Sequence, residues 1–157
     1  MKYLDTLVGF REFPDEISLC INISGCQFRC PDCHSKYLWE DKGTELTCEE
    51  LHNLINRNQG ITLIGFMGGN LKEIIPLIEY IKNINPSLKI GWYTGKILKN
   101  DEILNLCGLF NYIKSGPFIK ELGGLDKPST NQKFYHLHKT EFKKSFEDIT
   151  YKFWLNE

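Results

Sequence analysis

Cys26, Cys30 and Cys33 fall within the eight residues Cys26-Gln-Phe-Arg-Cys30-Pro-Asp-Cys33. A Cys-x3-Cys-x2-Cys loop turns three sulfurs toward one point and supplies no fourth sulfur nearby. Cubane iron–sulfur clusters are normally held by four thiolates, so three local ligands predict a cluster with one open iron position. An open position makes a metal centre reactive, the logic that catalytic zinc also follows. The competing reading is a closed structural zinc, with His34 or His52 as fourth ligand. Against it, Cys33 and His34 are chain neighbours that strain to reach one tetrahedron, and there is no second Cys-x2-Cys to complete the set.

Other small or polar segments follow short apolar runs. Met67-Gly68-Gly69-Asn70 ends the run Ile61–Phe66, Tyr93-Thr94-Gly95 ends Leu88–Tyr93, and Ser115-Gly116-Pro117 ends Leu109–Lys114. A double glycine serves a tight turn. It also lets a ligand approach the backbone, since no Cβ stands in the way. Cys20, Cys48 and Cys107 read as packing residues. His136 and His138 alternate on an expected strand without metal spacing, and Trp39, Trp92 and Trp154 read as packing.

The elements that must position these residues follow from periodicity. Residues 2–13 are strand-like and end at the turn signal Pro14-Asp15. In Ile17–Ser24 strict alternation puts Ile17, Leu19, Ile21 and Ile23 on one face and delivers the cysteine loop at the C-terminal end. Thr47-Cys48-Glu49-Glu50 reads as a capping box opening a helix with Leu51, Leu54 and Ile55 on its apolar face. A second helix carries Leu71, Ile74, Ile75, Ile78, Ile81 and Ile84, with Pro76 limiting its first turn or marking its start. Asn100-Asp101 caps a third, closed by Gly108. Lys133–Leu137 reads as a strand, the mixed-charge run Lys139–Asp148 as a solvated face, and Ile149–Leu155 as a final edge strand.

Strand–helix alternation predicts an α/β fold with a mainly parallel curved sheet. Four units are too few for a closed barrel of about 250 residues, so the expectation is an open partial (βα) barrel with the loops on one rim. The 157 residues suit one domain, 1–157. A formal net charge of −1 argues against nucleic-acid partners or an anionic membrane surface. No apolar stretch reaches the roughly 20 residues of a membrane span. The N-terminus lacks a signal-peptide core, so the six cysteines read as reduced thiols in a cytoplasmic protein.

The cysteine motif after a first strand resembles that of radical S-adenosylmethionine enzymes. Ile23–Cys26, Cys33-His34-Ser35-Lys36 with Trp39, Phe66–Asn70, Trp92–Gly95, Ser115–Phe118 and Ser129–Gln132 are similar to the activating proteins of anaerobic ribonucleoside-triphosphate reductases. The similarity spans Ile17 to Leu137 and implies the radical-SAM type of partial barrel. It also implies Cys26, Cys30 and Cys33 as ligands of a [4Fe–4S] cluster, with S-adenosylmethionine chelating the fourth iron. Met67, Gly68 and Gly69 would hold the methionine end, the backbone at His34 would lie near the adenine, and Tyr93-Thr94 near the ribose. Asn70 stands where an acidic residue is common, and His34 where an aromatic one is usual. The implied activity is reductive cleavage of S-adenosylmethionine and hydrogen abstraction from a backbone glycine of the anaerobic reductase, with a flavodoxin- or ferredoxin-type electron donor. A radical enzyme acting on a small molecule and a non-catalytic metal module are the alternatives.

Overall fold

The structure, a computed structural model, describes residues 1–154. Among these, eight strands form one sheet: β1 (Lys2–Gly9), β2 (Ser18–Ile23), β3 (Thr44–Glu45), β4 (Leu63–Met67), β5 (Lys89–Thr94), β6 (Tyr112–Ser115), β7 (Lys133–Lys139) and β8 (Lys144–Asp148). Their order is β3-β1-β2-β4-β5-β6-β7-β8. Three helices, α1 (Cys48–Arg57), α2 (Leu71–Ile84) and α3 (Asn100–Leu106), connect the central strands.

This is a mixed sheet, and it corrects the expected partial (βα) barrel. Only β2–β4, β4–β5 and β5–β6 pair in parallel. The flanking pairs β3–β1, β1–β2, β6–β7 and β7–β8 are antiparallel. The physical reason lies in the connections. A parallel pair needs a crossover long enough to carry a helix, whereas a short turn can only reverse the chain. The turn through Pro14 and the one at Thr140–Lys143 are of the reversing kind, the latter closed by the Thr140 N–H donating to the Lys143 carbonyl at 2.8 Å.

Several elements run differently from their sequence signals. The mixed-charge run after Lys139 holds the edge strand β8, while Thr150–Phe153 is a 3-10 helix rather than an edge strand; Leu155 lies outside the described residues. Helix α2 begins at Leu71 and passes through Pro76, so the proline neither starts nor limits it. Asn70 caps it, its side-chain oxygen accepting the Lys72 N–H at 2.9 Å. The α1 cap is as expected: Thr47 Oγ1 accepts the Glu50 N–H at 3.0 Å, and Leu51 and Leu54 are buried.

All three helices cover one face of the sheet. Leu51, Ile74, Ile78, Ile81 and Ile103 pack there against Leu19, Ile21, Ile64, Phe66, Ile90 and Ile113. The opposite face has its own core of Phe13, Cys20, Leu63, Tyr112, Phe134 and Ile149. Phe13 seats its ring over Gly65 and Gly91, which are partners across β4 and β5. A Cβ at either glycine would stand 2.4 or 2.1 Å from the ring, so the slot exists only because both side chains are absent. Cover on both faces is why β2 is buried at Ser18 and Cys20 as well as at Leu19 and Ile21. No helix among the described residues is long and apolar enough to cross a membrane.

Candidate metal centre

The cysteine loop begins where β2 ends and is tied down on entry. Ser24 N–H donates to the Lys2 carbonyl at 3.0 Å, Gly25 N–H to Glu40 at 3.2 Å and Cys26 N–H to Leu38 at 3.0 Å. Between the cysteines the chain reverses at two non-glycine residues with positive φ, Arg29 (45°) and Asp32 (58°). Such left-handed turns are uncommon outside glycine, and they curl a short loop so that its side chains converge. Cys33 N–H donates to the Cys30 carbonyl at 3.1 Å, and Ser35 N–H donates to Cys33 Sγ at 3.3 Å. Phe28, inside the loop, lies against Gly95 after β5, where a Cβ would be 2.6 Å from its ring.

All three cysteines line an open cleft of about 1200 Å³. Among the described residues no other cysteine lines it. Cys20 and Cys107 are buried in the cores and Cys48 packs at the start of α1. Burial pushes the Cys20 thiol up to about 11. The donor set is three thiolates from one loop on one cleft, one fewer than the four irons of a cubane cluster would take.

The strand ends beside the loop supply the rest of the cleft. Met67, Gly68, Gly69, Asn70, Tyr93 and Thr94 all line it. Gly68 has φ +102°, a conformation that L side chains rarely adopt. Its N–H donates to the Tyr93 carbonyl at 3.0 Å, and its own carbonyl accepts Trp92 Nε1 at 3.0 Å. Trp92, expected only to pack, thus also fixes the glycine turn while stacking on Phe110 at 5.5 Å. Tyr93 presents its ring, because its hydroxyl donates to the Glu12 carbonyl behind it and burial pushes its pKa well up. Thr94 Oγ1 accepts the Lys96 N–H at 3.1 Å. His34 is exposed and does not line the cleft; its ring stands 5.3 Å from Phe118, which does.

Lys114 is the residue that sequence reasoning passed over. It projects from β6 into the cleft, its Nζ donating to the Gly116 carbonyl at 2.9 Å and lying 5.6 Å over the Tyr93 ring. Burial lowers its pKa to about 8, against the opposing pull of the Cys30, Cys26 and Cys33 sulfurs. A cation in this cleft would offset the negative charge of any cluster the three cysteines hold. Its only sequence signal is a lysine closing an otherwise apolar run, which a solvated strand end would also produce.

A compact three-thiol loop beside a cleft is the donor set of an iron–sulfur protein holding one cluster. The chain belongs to the 4Fe-4S single cluster domain family, whose model matches residues 15–135. No curated protein and no solved structure matches the chain.

Proposed function

We propose that this protein is a radical S-adenosylmethionine enzyme that activates an anaerobic ribonucleotide reductase. When bound, the cluster would supply one electron that splits S-adenosylmethionine, the fragment so formed taking a hydrogen from a backbone glycine of the reductase. The observation that carries the reading is one cleft shared by three thiols and the Gly68-Gly69 turn, with no other cysteine lining it among the described residues. Cys26, Cys30 and Cys33 are the residues that would hold such a cluster, and three thiolates would leave one iron for a small chelating ligand. The Gly68 backbone would admit the amino-acid end of that ligand, since a Cβ there would meet nothing nearer than Ile23 at 3.8 Å, while Gly69 lets Met1 and Ile74 pack close behind the turn. The face of Tyr93 and the Thr94 backbone offer a surface for the nucleoside. Lys114 places positive charge toward the ligand's carboxylate and the thiolates. Phe28, half exposed at the cleft, helps keep water from the sulfurs.

The cleft opens widely, which suits a polypeptide loop as the group acted upon more than a small molecule that must be enclosed. The test is anaerobic reconstitution with iron and sulfide, followed by a reductant and S-adenosylmethionine. Formation of methionine and 5′-deoxyadenosine supports the radical reading, and a glycyl-radical resonance on adding the reductase supports the substrate. A reconstituted cluster that leaves S-adenosylmethionine intact would overturn the proposal and leave a cluster-binding module.

A further inference from the structure

β7 and β8 form an antiparallel hairpin in which His136 stands opposite Glu147 and His138 opposite Ser145. Residues two apart on a strand share a face, so both imidazoles emerge on the side away from the helices, where Phe134 joins the Phe13 core. His136 Nδ1 is 3.6 Å and His138 Nε2 3.3 Å from the same oxygen, Glu147 Oε1. The ring centroids are 4.1 Å apart, and the three donor atoms lie within 4.8 Å of one another. We propose that His136, His138 and Glu147 form a second metal site, taking one divalent transition-metal ion of the zinc type through two imidazole nitrogens and a carboxylate oxygen.

The separations leave room for a bridging ion, since the His138–Glu147 contact at 3.3 Å is at the long end of hydrogen bonding. Donors around a tetrahedral zinc stand about 3.3 Å apart, given bond lengths near 2.0 Å. A charge-assisted N–H···O bond would draw the pairs in to about 2.7–2.9 Å. Two imidazoles and one carboxylate suit zinc, copper, nickel or ferrous iron, whereas calcium and magnesium prefer oxygen alone. His136 is oriented beforehand, its ring stacked on Tyr112 at 4.5 Å and 15°. The nearby cations are already engaged, Lys89 with Glu16 and Lys152 with Asp15. The site is separate from the cysteine loop: Tyr112, paired with His136, opens β6, while the cleft is lined by Lys114 near the strand's other end, and none of the three ligands lines that cleft. Bound metal would cross-link the two outermost strands of this side of the sheet and keep a coordination position open to solvent or to a partner's side chain.

The probe is Zn²⁺, added to protein whose loop cysteines already hold their iron–sulfur cluster, with bound metal counted after equilibrium dialysis. The wild type is expected to take up one equivalent beyond its iron. His138→Ala and Glu147→Gln, both at exposed positions, should each bind Zn²⁺ at least about tenfold more weakly, the scale seen even for loss of an outer-shell partner. Co²⁺ should give ligand-field bands without thiolate charge-transfer bands. The proposal is overturned if the wild type binds no extra zinc, if either variant binds it as the wild type does, or if zinc enters only by displacing iron.

Discussion

Cys30 sits between the two left-handed turns of the loop, and among the described residues no cysteine from outside the loop lines the cleft to replace its sulfur. Cys30→Ala is expected to abolish bound iron after reconstitution, read by iron content and visible absorption. Cys107→Ala should retain it, because that thiol donates to the Ile103 and Ser145 carbonyls in the helix-side core. Gly68→Val tests a different step. A branched residue at φ +102° is strained by about 1–3 kcal/mol and fills the approach to the backbone. Iron content should persist while S-adenosylmethionine affinity falls at least about tenfold in equilibrium dialysis; unchanged affinity would remove this turn from the binding surface. At this scale the cysteines were legible because covalent spacing alone brings them together. Lys114 and the turned-back Tyr93 hydroxyl were not, because β5–β6 pairing and the loop carrying Glu12 create those neighbours.

The segment between β1 and β2 works as a plug for the second face. Phe13 is fully buried and touches Tyr93 and Phe134 edge-on at 5.3 and 5.8 Å. Phe13→Ala should lower unfolding stability by about 3–5 kcal/mol, measured by denaturant titration. Buried Glu16 anchors the same segment, accepting from Thr62 Oγ1 at 2.6 Å and Tyr112 Oη at 3.3 Å and pairing with Lys89. Glu16→Ala leaves those donors without their acceptor and should be destabilising by about 1–3 kcal/mol in the same titration. Periodicity found α1 and the central strands, whose apolar residues recur at fixed intervals. It missed β8, whose charged residues at a sheet edge look like any solvated stretch, and it misjudged Pro76. One missing hydrogen bond in α2 is outweighed there by Ile74, Leu77, Ile78 and Ile81, all buried against the sheet.

Across the whole molecule the cysteine loop hangs from the end of a sheet whose two cores exclude it. Loading the cluster should therefore slow amide exchange in residues 24–40 and leave β4 and β5 unchanged. Protection that spread through the sheet would mean the metal centre organises the fold itself. By itself, the sequence determined that three thiols share one short loop and that apolar strands and amphipathic helices alternate, since both follow from local spacing. Only the tertiary structure decided that the sheet is mixed, that Phe13 closes its second face, and that Lys114 meets the sulfurs. It also decided that Glu147 meets His136 and His138. Those outcomes depend on which strands pair and in which direction, and pairing is settled by contacts between residues far apart in the chain.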